Sequence, residues 1–113
     1  MARRGEIYFV DWSPGRGSEQ TGLRPGLVIQ NDSGNRLGLT TIIASISSRP
    51  GRGYPFQISI SADESGLPLD SIVLCEQIQT IDQSRLGRLA GLLSAEKMRN
   101  VDVALHRSLG LTE

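Results

Sequence analysis

The sequence predicts a mainly β fold of the α+β class, on three observations. Short runs of β-branched and aromatic residues recur through the first two-thirds of the chain. The connections between them are rich in turn formers and hold most of the thirteen glycines. In the last third the apolar spacing changes from that of a strand to that of a helix. With 113 residues there is room for one modest core, so residues 1–113 are expected to form a single domain.

Ile7-Tyr8-Phe9-Val10 opens the series of strands and is stopped by Ser13-Pro14-Gly15. Leu27-Val28-Ile29 is the second, stopped by the turn-forming stretch Asn31-Asp32-Ser33-Gly34-Asn35. A third run covers Thr40 to Ile46 and leads into the loop Arg49-Pro50-Gly51-Arg52-Gly53. Phe56-Gln57-Ile58-Ser59-Ile60 alternates apolar and polar residues, as a half-buried strand does. Ser71-Ile72-Val73-Leu74-Cys75 is the fifth. Beyond it, Asp82 suits the cap of a short helix presenting Leu86, Leu89, Leu92 and Leu93. Ser94 caps a longer helix with Met98, Val101, Leu105 and Leu109 on one stripe, ended by Gly110. That stripe reads as core packing.

Composition excludes several function classes. There is no apolar run long enough to span a membrane and no basic-then-apolar leader, so a soluble, cytoplasmic protein is expected. The single cysteine, Cys75, has no partner for a disulfide and lies in an apolar run, where a small buried hydrophobe is expected. One histidine, one cysteine and no clustered acids give no metal-ligand spacing, and no cofactor is expected. The single histidine, His106, also rules out a ribonuclease that uses two histidines as acid and base. Pro14-Gly15-Arg16-Gly17-Ser18 lacks the Gly-Lys-Ser/Thr ending of a phosphate-cradling loop, and no serine nucleophile elbow is present.

The formal net charge is zero, but it is unevenly spread. Residues 1–53 hold seven arginines against four acids, and residues 54–113 hold five basic residues against eight acids. Eleven of the twelve basic residues are arginine, a bias toward fixed-geometry contacts with phosphates, carboxylates or stacked bases. The most informative of them is Arg24. Pro25 forces Arg24 into an extended backbone at the mouth of the second apolar run. A guanidinium at the end of a rigid element beside a Gly-containing loop suits a phosphate, since it is planar, permanently charged and capable of paired hydrogen bonds.

The segment Arg4-Gly5-Glu6-Ile7-Tyr8-Phe9-Val10-Asp11-Trp12, then Gly17-Ser18-Glu19-Gln20, Arg24-Pro25 and Leu27-Val28-Ile29-Gln30-Asn31-Asp32, resembles the MazF/PemK family. The likeness continues through Glu76-Gln77-Ile78-Gln79-Thr80-Ile81-Asp82, Arg85-Leu86 and the tail from Val101 to Leu111. It covers nearly the whole chain in the family's order. The resemblance implies a small SH3-like barrel of the MazF/CcdB/Kid type with a C-terminal helix, assembled as a homodimer. It implies a toxin of a toxin–antitoxin pair that cleaves single-stranded mRNA at specific sequences and is neutralised by a cognate MazE-like antitoxin. An antitoxin with an acidic extended or helical tail suits Arg24 as a carboxylate site.

An RNA-specific reaction needs neither metal nor added nucleophile, because the ribose 2′-OH lies next to the scissile phosphate. The enzyme must splay the strand, stabilise charge on the phosphoryl oxygens and manage two proton transfers. The resemblance assigns the phosphate to Arg24 and a hydroxyl at the end of the third strand to its support. There the family commonly has Thr and this chain has Ser47, with Ser48 as an alternative. A guanidinium is an awkward general base because it holds its proton throughout the ordinary pH range, and a shifted Arg24, Glu19 and water all stay open for that role. The family likeness makes Glu19 and Gln20 part of a lid over the site. Asn31 suits either a base edge or a turn cap, Arg49 and Arg52 either the RNA backbone or a merely solvated loop. Trp12 suits stacking on a base, though most of the aromatics belong in the core.

Two other readings belong to different classes. A gyrase-poisoning toxin of the same fold depends on an aromatic C-terminal tail, whereas this chain ends Leu109-Gly110-Leu111-Thr112-Glu113. A non-enzymatic SH3-like binding module is the other. Gly26, where the family often has Val, and Ser47 are the residues that point to it.

Overall fold

The computed structural model describes residues 1–12 and 22–111. Its strands are β1 (Glu6–Asp11), β2 (Leu23–Val28), β3 (Thr40–Ser47), β4 (Gln57–Ile60), β5 (Ser71–Asp82) and β6 (Leu86–Leu92). Its helices are α1 (Asp32–Leu37), α2 (Ala62–Ser65) and α3 (Ala95–Leu109), with a 3₁₀ turn over Gln83–Arg85. All strands belong to one antiparallel sheet in the order β4-β5-β3-β2-β1-β6.

The central strands are buried on both faces, which the alternation of their side chains makes possible. Ile7, Leu27, Ala44 and Ile46 join a cluster with Val73, Cys75 and the inner stripe of α3, namely Met98, Val101 and Ala104. Val10, Val28 and Ile43 face the other way, into a cluster with Ala2, Trp12 and Ile81. The sheet closes on itself at α2, which follows β4 directly. Gly66 caps α2 in the left-handed conformation, and its backbone lies against Ala90 while Gly91 lies against the carbonyl of Ser65. A Cβ at either glycine would overlap backbone, so only glycine lets α2 reach β6. This is the expected mainly β barrel with a C-terminal helix.

Several elements differ from the sequence expectation, each for a physical reason. The stretch Asn31 to Asn35, read as a turn, starts α1: the Asn31 side chain accepts from Gly34 N at 2.7 Å as an N-cap. Asn35 is 1 % exposed and fully engaged. Its Oδ1 accepts from Gln30 Nε2 and Thr41 Oγ1, and its Nδ2 donates to the Gln30 carbonyl. The expected helix over Leu86 to Leu93 is only the 3₁₀ turn capped by Asp82, followed by β6. Two register breaks between β1 and β6 disturb the two-residue period, so that Leu86, Leu89 and Leu92 imitate helical spacing inside a strand. Gly87 and Gly91 also disfavour a helix, at about 1 kcal/mol each relative to Ala. β5 runs on to Asp82 because a bulge over residues 75–77 absorbs a shift against β3. The helix after Ser94 runs to the Gly110 cap as the sequence predicts.

Candidate active site

β2 begins at Leu23, so Arg24 and Pro25 lie within the strand rather than ahead of it. Arg24 stands opposite Val10 and Pro25 opposite Phe9. The Pro25 ring supplies no donor, and β2 pairs with β3 only from Gly26 onward, so that side of the ladder is already open where Arg24 emerges. Beneath Arg24 sits Trp12, 9 % exposed in the second core cluster, whose indole N–H donates to the Arg24 carbonyl at 3.3 Å. A Cβ at Gly26 would stand 3.1 Å from the Ile43 side chain and 3.3 Å from that of Val10, so both would have to give by a few tenths of an ångström to admit one. The departure from Val at this position therefore has a packing reason.

A cavity of about 220 Å³ opens beside this strand end. Arg24 and Pro25 of β2, Phe9 of β1 and Ile46 and Ser47 of β3 form one side; Ser48 and Arg49 follow. Leu67-Pro68-Leu69 and Ser71 form the other. The two residues assigned to the phosphate, Arg24 and Ser47, are thus brought together from strands that are neighbours in the sheet but some twenty residues apart in sequence. The lining combines two guanidinium groups and three serines with an apolar floor, and none of the described lining residues is a carboxylate. Ser47 Oγ accepts from the Arg49 backbone N–H at 3.1 Å. That bond uses a lone pair and leaves the hydroxyl hydrogen free to donate. Such a site can hold an oxyanion against Arg24, Arg49 and Ser47.

The other expected site residues separate. Arg49 lines the cavity, as it was expected to contact RNA, and also lines a broader neighbouring cavity of about 540 Å³ together with Lys97, Asp70 and Glu64. Arg52 lines neither; its backbone N–H donates to Gln57 Oε1 at 3.2 Å. Asn31 is engaged as the cap of α1, the second of its two readings. Trp12 belongs to the core, so its ring is not presented for stacking on a base. Glu19 and Gln20 lie outside the described residues. Sequence reasoning missed Phe9, which β1 places opposite Pro25, and it missed Ser71 and the segment Leu67 to Leu69, which follow α2 as the chain turns back across the site. Cys75 is buried away from the site, and burial followed by the nearby Glu76 charge pushes its thiol up to about 12. It is a packing residue, protonated at neutral pH.

A family model described as PemK-like, MazF-like toxin of type II toxin–antitoxin systems matches residues 3–109. An endoribonuclease MazF of Staphylococcus saprophyticus is 44% identical over 112 residues, covering 98% of this chain and 93% of the relative. The fold is similar to a mycobacterial endoribonuclease in complex with its cognate antitoxin, with a TM-score of 0.83 at 23% identity over 100% of this chain and 99% of that one. It is also similar to MazF in a MazE–MazF structure from Deinococcus radiodurans, with a TM-score of 0.79 at 26% identity, covering 98% and 97%.

Proposed function

The chain belongs to the family of PemK-like and MazF-like toxins of type II toxin–antitoxin systems, and from that premise we propose that it is a metal-independent endoribonuclease cutting single-stranded mRNA in the cytoplasm. The observation that carries this reading is the cavity that gathers Arg24, Arg49 and Ser47 with no carboxylate among its described lining residues. Such a lining attracts a phosphodiester and has no cluster with which to hold a divalent cation. The 2′-OH oxygen attacks phosphorus, a bond forms from O2′ to phosphorus, and the bond from phosphorus to O5′ breaks. The products are a 2′,3′-cyclic phosphate, which can open to a 3′-phosphate, and a 5′-OH. Arg24 neutralises the charge that grows on the phosphoryl oxygens and stands as proton donor to the leaving O5′. Ser47 donates to a phosphoryl oxygen. The proton of the 2′-OH goes to a shifted Arg24, to Glu19 or to water; the described lining adds neither imidazole nor carboxylate to that set.

In the presence of a chelator the purified protein should cut single-stranded RNA and leave DNA intact. Arg24→Ala should lower the rate by about a thousandfold, in the range found when a charge-stabilising donor is removed, with an unchanged circular dichroism spectrum. Undiminished cutting by that variant would overturn the assignment of the site.

A further inference from the structure

The loop that carries Arg49 is fastened at both ends, and its second fastening has no place in the reaction described above. At the start, Ser47 Oγ accepts from Arg49 N. At the far end stands Gln57, the first residue of β4. Its Oε1 accepts from the Arg52 backbone N–H at 3.2 Å, while its Nε2 donates to Glu76 Oε2 at 2.8 Å. Glu76 lies in the β5 bulge, where it is exposed yet held in place by the sheet on either side. The bulge itself is anchored: Cys75 N donates to the Phe56 carbonyl at 3.1 Å, and the Cys75 carbonyl accepts from Ser108 Oγ of α3 at 2.7 Å. Between the two fastenings Gly51 lies so close to Ile72 that a Cβ there would overlap the Ile72 side chain, and it would come within 3.1 Å of Gln57 Oε1.

From this geometry we infer that Gln57 is a positioning residue for RNA binding: by bridging Glu76 to the backbone of Arg52 it holds the 48–53 loop against β5 and so keeps Arg49 in the cleavage cavity. An amide suits the task because it accepts from the loop with one end and donates to a carboxylate with the other. The bond to Glu76 is charge-assisted, which makes it the stronger of the two. Arg49 has a long side chain and much rotamer freedom, so a fixed backbone beneath it removes part of the ordering cost when RNA arrives. The inference rests on reading the Arg24–Ser47 cavity as the cleavage site.

The test exchanges the two ends of the bridge. Gln57→Glu keeps an acceptor for Arg52 N but replaces the bond to Glu76 with repulsion between two carboxylates, which draws the side chain off the loop; Gln57→Met removes both bonds without adding charge. The double variant Gln57→Glu with Glu76→Gln restores the bridge with donor and acceptor reversed. One readout needs no RNA: the rate at which trypsin cuts after Arg52, followed by mass spectrometry. The other is the affinity for an RNA substrate made uncleavable by a 2′-deoxy sugar at the cut position. Both single variants at Gln57 should raise tryptic cutting and weaken RNA binding by about tenfold, the loss expected of one hydrogen bond to a charged group. The reversed pair should return both values to near wild type. In an Arg49→Ala background Gln57→Met should cost no further affinity, since the two residues act as one unit. Wild-type trypsin resistance in both Gln57 variants, or a reversed pair that stays susceptible, would overturn the bridge. Additive losses with Arg49→Ala would overturn its action through Arg49. A wild-type protein that cuts no RNA would instead sink the reading of the cavity, while the tryptic result still decides the bridge.

Discussion

Ser47 stands where the family commonly has threonine, and its surroundings show what holds a serine hydroxyl there. Its oxygen already accepts from Arg49 N, which limits the hydroxyl to orientations that leave the hydrogen free for a phosphoryl oxygen. The methyl group of threonine fixes the rotamer by sterics; here a backbone donor does part of that work. Ser47→Ala removes both the donor and the loop contact and should lower the cleavage rate by about ten- to a hundredfold, below the loss at a buried oxyanion donor because Ser47 is only half-buried. Ser47→Thr should keep or raise the rate. Initial rates on one RNA check this; full activity in Ser47→Ala would move the role to Ser48. Other residues at this scale were legible by type but not by duty. Trp12 and Asn31 carry the chemistry of recognition, yet Trp12 is spent on the core and Asn31 on a helix cap. Nothing in their local sequence distinguishes those uses.

The short elements depend on carboxylates that accept backbone N–H bonds. Asp32 takes the Arg4 N–H, Glu64 completes a capping box with Ser61, and Asp82 takes the Ser84 N–H at the 3₁₀ turn. In each case the backbone donor is the main cause holding the carboxyl below its usual range. A depressed native pKa means that the contribution is complete above the unfolded value, about pH 4. It is lost as pH falls through the lower native value. The melting temperature of Asp32→Asn or Glu64→Gln should therefore fall below wild type at pH 7, and the gap should close as the pH falls below the ordinary carboxylate range. A gap of constant size across that range would refute the assignment. The same scale shows where sequence patterns mislead. β6 was hidden because two register breaks replace a two-residue period with a three-residue one. α3 was plain because a serine cap, an apolar stripe and a terminal glycine all agree, although Leu109, expected on the core stripe, stands 55% exposed at the helix end and Ala104 is buried instead.

At the scale of the whole molecule, the arginine-rich first half supplies both guanidiniums of the cavity, while the acidic second half contributes its hydrophobic wall and Ser71. An acidic antitoxin segment would therefore meet two guanidinium groups in a cavity whose described lining holds no carboxylate. Apolar side chains also remain in water along and after α3, with Val103 50%, Leu109 55% and Leu111 67% exposed. A homodimer would give such surface something to cover it. Co-expression with the product of an adjacent small reading frame, followed by native mass spectrometry, should give a complex with two copies of this chain that no longer cuts RNA. A single copy in that complex would overturn the dimer. An unchanged cutting rate would overturn neutralisation at the cavity.

The sequence by itself determined the β-rich class, the capped C-terminal helix and the extended backbone of Arg24 before Pro25, because each is a local matter of period, cap chemistry or backbone restriction. The tertiary structure alone decided what stands beside Arg24. Antiparallel pairing brings the ends of β2 and β3 together, α2 folds Leu67 to Leu69 over them, and a bulge aims Glu76 at Gln57. Those are long-range contacts set by sheet register and by where glycine allows two backbones to meet, and neither is written in any short stretch of residues.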